Sequence, residues 1–455
     1  MSTKPRILIV GAGLAGCLLA RLLGRSGHEV LVCEGRNDPR EKNYAQGRSI
    51  NLAISERGID GLTQAGLRDR LLERAIPMPG RMIHDRQGHS AFQSYSAGGD
   101  RAINSVSRSE LNLMLIEAAD EHDSVELRFG VRAVELEPST GSVVFESIND
   151  GSRQTETADI VVGADGAGSA VRVALESALA DFKCSQDFLD HGYKELSIPA
   201  VETGPHAPFA IEPKALHIWP HGASMMIALP NLDGSFTCTL FWPYTGEHSF
   251  EAVTEANVCD LFRTHYPDAL PIMPELVAEY RENPVSPLGT IRCRPWHNGK
   301  VVLMGDSAHA IVPFYGQGAN ASFEDAVSLA REIEARPDDV PGALDAYYRD
   351  RVEHADAIAD MALANFLEMR DHTGKRWFHY KKKLEQYLHR KLGDRFVPLY
   401  EMVSFTTIPY DHARKRAARQ WRAVVIVFAA LFVSLGLAAY GLSNILNQLF
   451  ATGSS

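Results

Sequence analysis

Residues 6–16 read Arg-Ile-Leu-Ile-Val-Gly-Ala-Gly-Leu-Ala-Gly. The short apolar run ending at Val10 reads as a buried strand. Gly11, Gly13 and Gly16 follow at GxGxxG spacing, and 14–24 continues as a predicted helix. Gly11 allows the tight bend, Gly13 lets a pyrophosphate approach the backbone, and Gly16 lets helix and strand pack closely. The helix N-terminus adds free N–H groups and a partial positive charge. A second strand is expected at 29–33. Glu34 ends it, 18 residues beyond Gly16, where an acid suits a pair of ribose hydroxyls. Strand, glycines, helix, strand and acid in this order predict a dinucleotide site in an α/β, Rossmann-like domain.

The whole chain bounds the rest. Its 455 residues are 45% hydrophobic and 23% charged, an ordinary balance for a globular protein with a real core. A net charge of −11 argues against nucleic acid as a partner. Six scattered cysteines with no CxxC argue for reduced thiols and against a zinc site. Lys4 and Arg6 before an apolar run imitate a secretory signal, but the glycine fingerprint accounts for the same residues. Residues 423–442 contain no charge, are long enough to span a bilayer, and follow Arg414, Lys415, Arg416, Arg419 and Arg422. We expect a tail anchor, or a peripheral attachment, with its basic side on the cytoplasmic face of a membrane. The competing expectation is a buried or interfacial helix, such as a dimer contact. Oligomeric state is not legible.

The flavin-type segments recur along the chain. Residues 159–172 run as a strand into Asp165-Gly166. Residues 301–313 run as a strand into Gly305-Asp306, and Gly316-Gln-Gly318-Ala319-Asn320 opens a helix. An Asp after a strand can accept from a ribitol or ribose hydroxyl, and a glycine turn at a helix N-terminus can meet an isoalloxazine carbonyl. Ser107 and Glu110 predict a capping box at the start of a helix through 121. Glycine and proline punctuate short alternating runs over 181–288, which read as an inserted antiparallel or mixed sheet. We therefore divide the chain into a discontinuous dinucleotide domain (1–70, 101–180, 289–342) and a substrate domain (71–100, 181–288). A helical region (343–412) and a basic stretch with the hydrophobic tail (413–455) follow.

Taken together, the three glycine-acid segments resemble the single-component FAD-dependent aromatic hydroxylases of the p-hydroxybenzoate hydroxylase fold. Residues 48–58, 77–84, 305–325, 364–370 and 397–400 are similar, more narrowly, to the kynurenine 3-monooxygenase family. The resemblance implies bound FAD, transient NADPH, and O2 used to hydroxylate L-kynurenine at C3 through a C4a-hydroperoxyflavin. It implies no catalytic protein nucleophile and no metal. It assigns the substrate carboxylate to Arg81 and Tyr95, with Asn365, Met369 and Tyr400 as further pocket residues. It places FAD against Gly11, Gly13, Ala15, Gly16, Glu34, Arg36, Ala53, Arg108, Ala133, Asp165, Asp306, Gly318, Ala319 and Asn320. A planar guanidinium is the right group for a carboxylate, and Asn365 and Met369, four apart, share a helix face.

Tyr315 stands where the family often has Phe or His, and Ala319 where Met is usual. His84 and His309 have no partner at ligand spacing and read as structural. No second GxGxxG marks a separate NADPH domain. Two other readings fit the same residues: a flavin hydroxylase of another aromatic acid, and a membrane-docked flavoprotein acting as a redox-linked binding module.

Overall fold

The structure is a computed structural model that describes residues 4–41, 50–96, 98–222, 224–371 and 376–452. Part of the polar loop expected at 35–47, and Arg48, lie outside these residues. A six-stranded sheet runs in the order His297–Asn298, Val301–Leu303, Ile160–Gly163, Ile7–Val10, Val30–Glu34, Val125–Phe129. Neighbours are parallel except the first pair. Its central strands, 7–10, 30–34, 160–163 and 301–303, are buried throughout, which is why they read as unbroken apolar runs rather than alternating ones. The helices Leu14–Arg25, Arg108–Asp120 and Gly318–Ala335 contribute their apolar faces to the same core. Ser107 Oγ accepts from the Glu110 N–H at 3.5 Å, as its position before the helix predicts.

The glycines act by what they lack. Gly11 has φ +110°, and a Cβ there would lie 2.4 Å from the Ala164 carbonyl oxygen. At Gly16 a Cβ would lie 2.1 Å from the Gly11 carbonyl oxygen. Around Gly13 there is open space to 4 Å. The first and third are packing requirements, whereas the second leaves an approach to the helix N-terminus.

Seven strands form the other large sheet, in the order Ser286–Arg294, Lys183–Ile198, Phe236–Pro243, Ser224–Pro230, Leu216–His221, Gly80–His84, Ser90–Ser94. Residues 71–100 and 181–288 do meet here, through parallel pairing of Leu216–His221 with Gly80–His84. The strand Ser286–Arg294 also belongs to this sheet, so the division drawn at 289 cuts through it. Two three-stranded sheets complete the body among the described residues. One joins Asn51–Ile54, Ile103–Ser107 and Ile76–Met78. The other contains Val131–Glu137, half-buried against the main core, and Arg153–Thr157, an exposed polar strand whose composition hides it from a search for apolar runs.

The C-terminal quarter is helical: Val340–Asp371, Arg376–Leu392, the short Leu399–Ser404, and Tyr410–Thr452. The last is a single helix of 43 residues. Tyr410 and Ala413 are buried against the body, while large apolar side chains between Val425 and Leu442 are exposed. Tyr410–Asn444 is long and apolar enough to cross a membrane by length and composition.

Replacing Gly16 by Ala forces a Cβ onto backbone, which cannot give way as a flexible side chain would. We expect a loss of about 1–3 kcal/mol, read as a lower thermal midpoint and reduced flavin content. Wild-type values for both would show that helix and strand can separate without cost.

Candidate active site

The Leu14–Arg25 helix begins at Gly13 with no side-chain cap, so its first N–H groups face the open space beside that glycine. Ala15 lies in its first turn. Glu34, at the end of the neighbouring strand, accepts from Ala12 N–H at 2.9 Å and is held by the Arg36 guanidinium at 2.9 Å. Burial alone would push the Glu34 carboxyl up, but the Arg36 contacts and the Ala12 N–H hold it below the ordinary carboxylate range. Asp306 opens the short helix Asp306–His309 and has an exposed carboxylate despite being closely surrounded by protein. That crowding raises its pKa, with His309 and Arg108 opposing the shift. Arg108 is exposed at the start of its helix. Among the described residues neither Arg108 nor Asp306 has an ion-pair partner within 4.0 Å. An uncapped helix N-terminus, an open glycine, an acid and a cation with free valence fit FAD, whose pyrophosphate is anionic and whose ribose and ribityl chains donate hydrogen bonds.

Two expected cofactor residues spend their side chains on the protein itself. Asp165 accepts from Ser169 Oγ at 2.5 Å, Ser307 Oγ at 3.0 Å, and the N–H groups of Ala170 and Val171 at 2.7 and 3.2 Å. It therefore anchors the Ala170–Ala178 helix and ties it to the 305–309 turn. Asn320 is fully buried; its Oδ1 accepts from Ser55 N–H, and its Nδ2 donates to the carbonyls of Ala53 and Gly316. It fastens the Gly318–Ala335 helix to the Asn51–Ile54 strand. Gly318 and Ala319 are the first residues of that helix. Ala133 lies on Val131–Glu137, packed partly buried against the main core.

The second constellation forms where the seven-stranded sheet meets the C-terminal helices. Arg81 is on the Gly80–His84 strand, and Tyr95 follows Ser90–Ser94, continuing the ladder through its N–H to the Pro79 carbonyl at 3.0 Å. Tyr400 comes from Leu399–Ser404. The guanidinium carbon of Arg81 lies 5.2 Å from the Tyr95 ring centre and 4.8 Å from that of Tyr400. The two rings stack at 5.2 Å, and Tyr315 stacks on Tyr400 at 5.9 Å. Arg81 Nε and Tyr95 Oη are buried, and neither meets a partner at hydrogen-bonding geometry. No carboxylate lies within 4.0 Å of Arg81 among the described residues. Burial lifts the Tyr95 hydroxyl well above its usual range, so it remains a donor at neutral pH. An apolar cluster that includes Ile83, Leu216, Phe241 and Phe314 packs with Tyr315.

Asn365 is on the long helix Val340–Asp371, where its Nδ2 donates to the Phe314 carbonyl at 2.6 Å. It thus joins that helix to the turn that carries Tyr315. Met369 is on the same helix, but its side chain lies outside the described residues. His84 bonds Asp268 at 2.5 Å and His217 at 2.8 Å, and His309 bonds Asp325 at 2.5 Å, so both histidines have buried partners.

Charge arithmetic along the sequence misses the support beneath the site. Arg57 Nη1 pairs with Glu324 at 2.7 Å, Glu324 with Arg351 at 3.2 Å, Arg351 with Asp325 at 2.7 Å, and Asp325 with His309. Arg57 is fully buried and also donates to the carbonyls of Met402, Val403 and Ile408, around the end of the helix that bears Tyr400. Its guanidinium lies 4.0 Å from the Tyr410 ring centre. Tyr410 Oη donates to Gln317 Oε1 at 3.0 Å, just before the Gly318–Ala335 helix. An arginine one residue into a helix is by pattern a surface residue; only the tertiary contacts bury it.

A family model described as an FAD binding domain matches residues 4–362. The kynurenine 3-monooxygenase of Dictyostelium discoideum is 44% identical over 426 residues, 90% of each chain. That of Stenotrophomonas maltophilia is 45% identical over 414 residues, again 90% of each. The structure of 2-methyl-3-hydroxypyridine-5-carboxylic acid oxygenase matches with a TM-score of 0.66 at 21% identity, covering 81% of this chain and 94% of that one, which is a likeness of fold. The chain belongs to the FAD-binding aromatic monooxygenases and, within them, to the kynurenine 3-monooxygenase family.

The buried pair Asp325–His309 makes stability depend on pH. Burial would raise the Asp325 carboxyl, but His309 and Arg351 hold it down at about 2. A depressed carboxylate stabilises the fold above its unfolded value, near 3.8, and that contribution is lost as pH falls towards 2. His309 is raised by Asp325 against the opposing effect of burial, so its contribution is present below its unfolded value and is lost as pH rises through the folded one. Asp325→Asn leaves His309 without a counter-charge and Arg351 with Glu324 alone. We expect it to cost about 3–5 kcal/mol at pH 7 and to flatten the acid limb of the unfolding profile between pH 4 and 2. Wild-type urea midpoints across that range would contradict the assignment.

Proposed function

We propose that this chain is an FAD- and NADPH-dependent monooxygenase that hydroxylates L-kynurenine to 3-hydroxy-L-kynurenine. The observation that carries the substrate assignment is the buried, unpartnered Arg81 Nε beside the unpartnered Tyr95 hydroxyl. A buried guanidinium N–H without an acceptor is costly, and a ligand carboxylate removes the cost by accepting from both groups. Such charge-assisted bonds are directional. They fix the amino-acid end of the substrate, and the apolar cluster then receives the aromatic ring. Tyr400 closes the pocket through its stacking on Tyr95 and Tyr315. Asn365 shapes it by holding the Phe314 turn, and the reading of Met369 as a pocket residue is supported by its four-residue spacing from Asn365.

FAD, reduced by NADPH, supplies the oxygen-transfer chemistry when bound. Gly11, Gly13, Ala15, Gly16 and the helix they open would hold the pyrophosphate, with Arg108 adding charge. Glu34 and Arg36 would meet the ribose end, and Asp306 the ribityl chain. Ala53, Ala133, Gly318 and Ala319 would line the cradle, while Asp165 and Asn320 shape it through their own hydrogen bonds. What remains for the protein is to orient the ring and exclude water, since an open site wastes reducing equivalents as peroxide. We further propose that residues 423–442 anchor the chain in a membrane from its cytoplasmic side, a reading supported by the exposed apolar helix and the basic residues before it.

Purified yellow protein should oxidise NADPH faster with L-kynurenine and give a product one oxygen heavier by mass. Stimulation that yields only peroxide would point to another aromatic acid. No stimulation by any aromatic acid would favour a redox-linked binding module instead.

Arg81→Ala, at unchanged flavin content, should weaken substrate binding by about 2–5 kcal/mol, seen as a KM rise of tenfold or more. Tyr95→Phe should cost about 1.5–3 kcal/mol in the same measurement. An unchanged KM in Arg81→Ala would remove this pocket from substrate recognition.

A further inference from the structure

The chain has a net charge of −11, yet residues 376–422 hold twelve Lys and Arg against four Asp and Glu, a local +8. This basic segment is folded into two neighbouring elements, the helix Arg376–Leu392 and the first turns of Tyr410–Thr452. Lys381 Nζ lies 5.6 Å from the Trp421 ring centre, Phe396 meets Trp421 edge-on at 6.0 Å, and Arg416 donates to the Asp394 carbonyl. The shorter helix and the turn that ends it therefore lie beside residues 416–421, immediately before the apolar run.

The two faces of the shorter helix differ. Its inner face carries Glu385, which is buried, and His389, which bonds the Phe396 carbonyl at 2.8 Å and Glu401 at 3.4 Å. Its outer face carries Tyr380, Lys383, Tyr387, Arg390 and Lys391, at spacings of three, four, three and one, which fall within about 100° of the helix circumference. All five are exposed, Tyr380 by 64% and Tyr387 by 53%. None of the three cations has an ion-pair partner among the described residues. Further back along the tail helix the pattern is different: Arg414 pairs with Asp360 and Lys415 with Asp411. Uncompensated positive charge is thus gathered next to the apolar run.

A solvated helix face ordinarily mixes both signs of charge. Exposed tyrosines among cations, with no acid on the face, suit the headgroup layer instead. Tyrosine is favoured at that depth, and basic residues are drawn to an anionic surface. We propose that the outer face of the Arg376–Leu392 helix docks on an anionic lipid surface beside the point where the tail enters it. This rests on the reading that residues 423–442 insert into a bilayer.

The test uses the full chain with its flavin, reconstituted in nanodiscs of phosphatidylcholine alone or with phosphatidylserine, and follows amide hydrogen exchange over residues 380–392. The wild type should incorporate into both. Exchange should slow at least tenfold only with phosphatidylserine, and high salt or the triple variant K383Q/R390Q/K391Q should abolish the slowing. These side chains lie on the surface, so the variant should keep wild-type flavin content and wild-type activity in detergent. Incorporation with the same exchange in both lipids would overturn the proposal and leave the anchor standing. Slowing that persists in the triple variant would also overturn it. Failure to incorporate into either lipid would remove the anchor and the proposal together.

Discussion

The chain of buried charges from Arg57 through Glu324, Arg351 and Asp325 to His309 is the constraint on which both halves of the site depend. An ion pair out of water must have its remaining hydrogen-bonding positions filled, or the cost of desolvation exceeds the attraction. Here they are filled by backbone. Arg57 takes three carbonyls around the Tyr400 helix, Arg351 takes the Ala321 carbonyl, and Asp325 accepts from Gly305 N–H. The charges therefore cannot be satisfied unless the Gly305–Asp306 turn, the Gly318 helix and the Tyr400 segment are all in place. A proposed cofactor cradle and a proposed carboxylate pocket, drawn from distant parts of the chain, share one electrostatic floor.

What could be read from sequence follows from the range of the interactions involved. The opening strand, the GxGxxG turn and Glu34 were legible because each is local: a bend needs a glycine, a buried strand needs apolar residues, and an acid ends the next strand. The Ser107 cap was legible for the same reason. The pocket was not. Arg81, Tyr95 and Tyr400 lie on three elements, and no periodicity brings them together; resemblance to a family named them, and the structure places their side chains side by side. The network was missed entirely, because Arg57 and Arg351 sit at helix positions that would be exposed in isolation. Tertiary burial reverses the meaning of the residue.

Asp165 and Asn320 show the converse. Their motif and position suggested direct contact with a cofactor. The structure shows both engaged by the protein's own donors and acceptors. A polar side chain at a binding site can be indispensable to the shape of that site through bonds made within the protein. Asp306 and Arg108, whose exposed groups lack such partners, are the better candidates for direct contact.

The tail helix gives the assembly a mechanical character. Tyr410–Thr452 has no break in its backbone hydrogen bonding, and at 1.5 Å per residue its 43 residues extend about 65 Å. Its root is not a loop: Tyr410 grips Gln317, and Gln420 forms two hydrogen bonds with the backbone of Val397, three residues before Tyr400. Such an element is a cantilever rather than a leash. A leash would let the catalytic body tumble freely, whereas a cantilever makes the tilt of the rod and the attitude of the body a single variable, set where the rod is clamped between Gln317 and Val397.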